Sequence, residues 1–71
     1  MQNVVLLFSS NAGTMIATKA LRDLGVVARM VPTPAGAGSG SNLSLSVDDA
    51  AADQAVAALK EANVNVSGVW R

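Results

Sequence analysis

Cysteine and histidine are both missing from this 71-residue chain, and so is tyrosine. Without thiols there are no disulfides and no thiolate nucleophile. Without imidazole, the commonest acid/base group near neutral pH and the commonest zinc ligands are gone as well. No convincing catalytic constellation and no zinc site of the usual ligand types can be assembled from what is left, so the chain is expected not to be an enzyme and to carry no cofactor. Aromatic residues are reduced to Phe8 and Trp70. The basic residues Lys19, Arg22, Arg29, Lys60 and Arg71 are scattered and are matched in number by the acids. Nucleic-acid binding calls for a basic footprint, often with stacking platforms, and is not expected here. No apolar run approaches the roughly 20 residues of a membrane span, and MQNVVLLF lacks the basic flank of a secretion signal. The expectation is a cytoplasmic protein without membrane insertion. Residues 1–71 suffice for one domain, and so small a core makes partner surface a natural source of added stability.

What is present is a regular succession of short elements. Asn3 to Ser9 is a nearly continuous apolar run that suits a central strand. Ser9-Ser10-Asn11 supplies helix caps, and from Ala12 to Leu24 the positions Thr14, Ala17, Ala20, Leu21 and Leu24 share one face at a period near 3.6. Met15 and Ile16 fall outside that face. Gly25 stands where a helix-terminating glycine belongs. Val26 to Val31 reads as a second strand, ended by Pro32 and Pro34, which supply no ladder donor. A featureless Gly/Ser/Ala arc runs from Ala35 to Ser41. Asn42 to Val47 then alternates, with Leu43, Leu45 and Val47 toward the core and Ser44 and Ser46 away. Asp48-Asp49 opens an alanine-rich helix as caps, Asn63 closes it in the left-handed conformation, and Val64 to Arg71 alternates as a fourth strand with Trp70 on the core side.

The order β-α-β-β-α-β predicts an α+β, ferredoxin-like fold: a four-stranded antiparallel sheet with both helices on one face. The other face would then be uncovered. Val27, Arg29, Val31, Ser44, Ser46 and Val69 are the candidate interface residues on it, together with Val5 and Leu7, a mixed surface with an apolar centre suited to a protein partner or to self-association.

Four features of the chain could carry other chemistry. The run Gly36-Ala37-Gly38-Ser39-Gly40 lies between two strands, whereas phosphate-binding glycine loops lead into a helix, so it is not a nucleotide motif. The junction Ser9-Ser10-Asn11 is a better anion candidate, because free amides at a helix start attract carboxylate or phosphate, although capping explains the same residues. Combined with Ser39, Gly40, Ser41 and Asn42 it defines a second candidate, an anionic-ligand site. Adjacent Asp48 and Asp49 point apart at a helix start and read as caps. Ser39 or Ser41 as a nucleophile lacks a base.

The segments FSSNAGTMIATKALRDLGV, RMVPTP, LSLSVDD and the ending GVWR together resemble the Se/S carrier-like family of small bacterial proteins. Members of that family typically show a strand ending near Phe-Pro-Ser, a Pro-x-Pro segment, a serine-rich run ending Cys-Gly, an alternating strand, and a close near Gly-Ile-Tyr-Arg. The resemblance spans nearly the whole chain and implies the placement of the loop. It also implies that the family's cysteine position is occupied here by Ser41, with Asn42 in place of the following glycine. A serine cannot hold selenium or sulfur as a persulfide-type adduct. The expected function is therefore that of a non-enzymatic accessory module. It would associate with a protein partner or with itself through the uncovered sheet face and the 35–42 loop. The alternative is an anionic-ligand module.

Overall fold

In the computed structural model, which describes residues 3–37 and 40–70, the elements are β1 (Asn3–Leu7), α1 (Asn11–Asp23), β2 (Ala28–Pro32), β3 (Leu43–Asp48), α2 (Asp49–Glu61) and β4 (Gly68–Trp70). The strands form one antiparallel sheet in the order β2-β3-β1-β4. This is the ferredoxin-like arrangement that the element order predicts.

Strand β1 is central because it is apolar on both faces. Val4 and Leu6 pair with Val47 and Leu45 of β3, and these four side chains meet Ala17 and Leu21 of α1 and Ala52, Ala55 and Leu59 of α2 in one core with Phe8. Leu6, Leu21, Leu45 and Leu59 are wholly buried. Removal of each from water contributes about 1.5–3 kcal/mol. The alanines of α2 bring that helix close to the sheet.

The two helices end in the same way. After α1, Gly25 (φ 77°) donates to the Arg22 carbonyl at 3.1 Å and Val26 donates to the Leu21 carbonyl at 2.9 Å. After α2, Asn63 (φ 61°) donates to Lys60 at 3.1 Å and Val64 to Leu59 at 2.9 Å. Both are left-handed terminators that satisfy carbonyls of the last turn and throw an apolar residue back against the core. Val26 is consumed by this turn, so β2 begins two residues later than its β-rich composition predicts.

Three further expectations are corrected. Asp48 is the N-cap residue of α2, but its carboxylate makes no capping hydrogen bond. Leu24, placed on the buried face of α1, is 58% exposed, because it lies in the terminating turn rather than in the helix. The alternation from Val64 to Arg71 does not hold as one strand. Val64 and Val66 pack against the core, yet the strand proper is only Gly68–Trp70, and its register sets Val69 opposite Leu6 and Trp70 opposite Val5. Val69 therefore lies on the helix side and Trp70 on the uncovered side. Residues 64–67 form no ladder with period two, so the facing of Val66 is not carried forward into Gly68.

Candidate functional site

Two places in the fold answer to the candidate residues. The first is the junction between β1 and α1, where the arc between β2 and β3 comes to rest. Ser10 is the N-cap of α1, its Oγ accepting from the Gly13 amide at 3.1 Å. Asn11, one residue on, reaches across to the arc. Its Oδ1 accepts from the Asn42 amide at 3.0 Å and from the Ser41 hydroxyl at 2.7 Å. Gly40 lies against Ser9, and a Cβ at position 40 would sit 2.5 Å from the Ser9 carbonyl oxygen. Only glycine permits that backbone approach. Ser9, Ser10, Asn11, Gly40, Ser41 and Asn42 are thus brought together, while Ser39 lies outside the described residues.

Ser41 is at the centre of this junction and is only 3% exposed. Its Oγ accepts from the Leu43 amide at 3.1 Å, and lies 2.6 Å from the Leu43 carbonyl and 3.1 Å from Thr14 Oγ1. Thr14, also buried, reaches the Leu43 carbonyl at 2.8 Å and the Ser10 carbonyl at 3.2 Å. Each hydroxyl has one proton to give. One assignment serves every group: Ser41 donates to Asn11, Thr14 donates to Leu43, and the Leu43 amide donates to Ser41. On the far side, Thr33 Oγ1 reaches the Ser41 carbonyl and Ser44 Oγ, both at 2.7 Å. Among the described residues no buried side-chain nitrogen or oxygen lacks a partner.

Chemically, this is a staple. The hydrogen-bond partners described for Ser41 are hydroxyl, amide and carbonyl groups, none of them a base that could take its proton, and Asn11 Oδ1 is already turned inward on Ser41 and the Asn42 amide. Thr14 and Thr33 were missed as participants. Thr14 was counted among the apolar positions of α1. A threonine wholly inside an apolar face, one turn after the cap, requires a polar partner, and that was the available signal.

The second place is the uncovered side of the sheet. The register arranges it in rows across β2, β3, β1 and β4. Val31 lies in one row with Ser44, and Gly68 lies beside Leu7. In the next row Arg29 lies beside Ser46, which lies beside Val5, which lies beside Trp70; Asp48 pairs with Asn3 in the last. Arg29, Val31, Ser44 and Ser46 therefore share this face as expected. Ser44 is fully buried, bonded to Thr33, and Leu7 is nearly so. Val69 is on the opposite side, as described above. Val27 precedes β2, is 83% exposed, and lines a hollow of about 270 Å³ with Thr18, Arg22, Gly25, Val26 and Ala28 instead of joining the sheet.

No cluster of acids able to hold a metal ion exists among the described residues, and none of their helices is long and apolar enough to cross a membrane. A family model described as "Putative Se/S carrier protein-like" matches residues 3–71. No curated protein and no solved structure matches the chain.

Proposed function

The chain belongs to that Se/S carrier-like family, and from this membership we propose that it is a small carrier-like module that acts by binding rather than by catalysis, holding a protein partner against the uncovered face of its sheet and the adjoining 35–42 loop. The uncovered face supports this reading. It presents Val5, Val31 and the 41% exposed Trp70 around the small residues Ser46 and Gly68, with charges only at Arg29 and Asp48 among the described residues. Depletion of charge and enrichment in aromatic residues mark the centre of protein interfaces. Ser41, where the resemblance sets the family's cysteine, is buried and fully occupied in holding the arc to α1, which favours a scaffolding part for that loop over a chemical one.

Site-specific photo-cross-linking in living cells tests the proposal. A photoreactive residue at Ser46, on the uncovered face, should give discrete adducts, and one at Gln54, exposed on α2, should give none. Absence of adducts from position 46, or equal yields from both positions, would sink it.

A further inference from the structure

We infer that the occupant of the uncovered face is a second copy of this chain, stacked sheet on sheet about a two-fold axis running along the strands between β3 and β1. This rests on the proposed use of that face and names the partner. Sheets packed face to face lie about 10 Å apart with strand directions within about 30° of each other. Such an axis carries β2 of one copy over β4 of the other and β3 over β1. In the central row, Arg29 on β2 then lies over Trp70 on β4 of the other copy, and the same contact occurs a second time by symmetry. A guanidinium over an indole face is the favoured cation–π pairing. In the last row, Asp48 lies over Asn3, whose amide can donate to the carboxylate. Ser46 meets Val5 and Val31 meets the bare backbone of Gly68, so small residues stand opposite larger ones along the face.

A two-fold axis running across the central row would instead stack Arg29 on Arg29, like charge on like. The distribution of charge points to the same face. Three charged residues are on α1 (Lys19, Arg22, Asp23) and four on α2 (Asp49, Asp53, Lys60, Glu61). Among the described residues the sheet contributes only Arg29 and Asp48 to the uncovered side, one charge of each sign, so they give the face no net charge with which to repel its own copy. The footprint also sets the strength. Four strands about 4.8 Å apart and five residues at about 3.3 Å give a flat area of about 320 Å² per copy. This falls well short of the about 800 Å² per partner of a standard interface, so a weak, reversible dimer is expected.

Sedimentation equilibrium of the purified chain from about 10 μM to about 1 mM, with acrylamide quenching of Trp70, the only tryptophan, decides the matter. A monomer–dimer equilibrium is expected, with Trp70 protected as dimer accumulates. Arg29→Ala should weaken it about five- to thirtyfold, and Ser46→Arg should abolish it; circular dichroism establishes that both variants fold. A chain that stays monomeric at the highest concentration overturns the second copy as occupant. If position 46 still gives adducts in cells, the use of the face stands with another partner, and if it gives none, both readings fail. A dimer unaffected by Ser46→Arg uses another surface and overturns the second copy as occupant of this face, leaving the use of the face to the cross-linking test. One abolished by Ser46→Arg but indifferent to Arg29→Ala overturns the axis proposed here.

Discussion

Replacing Ser41 by alanine should lower the stability of the domain by about 2 kcal/mol, and the structure shows where that figure comes from. The hydroxyl accepts from the Leu43 amide and donates to Asn11 Oδ1. An internal hydrogen bond contributes about 0.5–1.5 kcal/mol net, so losing two costs about 1–3 kcal/mol. Asn11 keeps the Asn42 amide and the Leu43 carbonyl keeps Thr14, which holds the loss to the middle of that range. Against a total of about 3.5–10 kcal/mol for a chain of this length, the change is large. At about 4–8 °C per kcal/mol for a domain this small, the thermal midpoint should fall by about 8–16 °C. Circular dichroism at 222 nm through a thermal ramp reads it directly. Ser46→Ala, a serine of β3 with its side chain on the uncovered face, is the control and should move the midpoint little. If Ser41→Ala melted within about 2 °C of the parent chain, the hydroxyl would not be a staple. The account of the 35–42 loop as fixed to α1 through Ser41 would then fail.

Two other substitutions probe the same architecture. Gly40→Ala forces a Cβ to within 2.5 Å of the Ser9 carbonyl; because the obstacle is backbone, urea denaturation should show a loss of about 1–3 kcal/mol. At Asn63, held at φ 61°, glycine should be neutral within about 0.5 kcal/mol, whereas the β-branched Asn63→Val should cost about 1–2 kcal/mol in the same assay. Equal stability of those two variants would mean that α2 does not end as described.

The fold was legible because each element carried its own period and its own punctuation. Gly25 and Asn63 marked both helix ends, and the alternation of Leu43, Leu45 and Val47 against Ser44 and Ser46 placed β3. What the pattern could not give was anything that depended on a neighbour distant in the chain. Trp70 and Val69 exchanged faces because β4 takes its register from Leu6 and Leu7, some sixty positions earlier, and not from Val64 and Val66 beside it. Ser44 looked like a solvent-facing serine by alternation, yet it is buried because Thr33 closes on it. At the junction, the sequence named nearly every participant from cap chemistry and loop composition. It could not reveal that Asn11 turns toward the arc, since a capping segment facing solvent and one facing a loop are spelled alike.

The central place of β1 carries a kinetic consequence. Its two neighbours in the sheet are β3, about forty residues downstream, and β4, more than sixty downstream, so the most apolar stretch of the chain is the one that waits longest for partners. The β2-β3 hairpin can close over a ten-residue connection, and the helices can form locally, but neither shields NVVLLF. Loop-closure entropy must be met before those distant pairings form, which makes the docking of β1 the slow event of folding. Until then an unpaired apolar strand is available to other chains, and crowding of newly made copies would favour mispairing at that strand before any other.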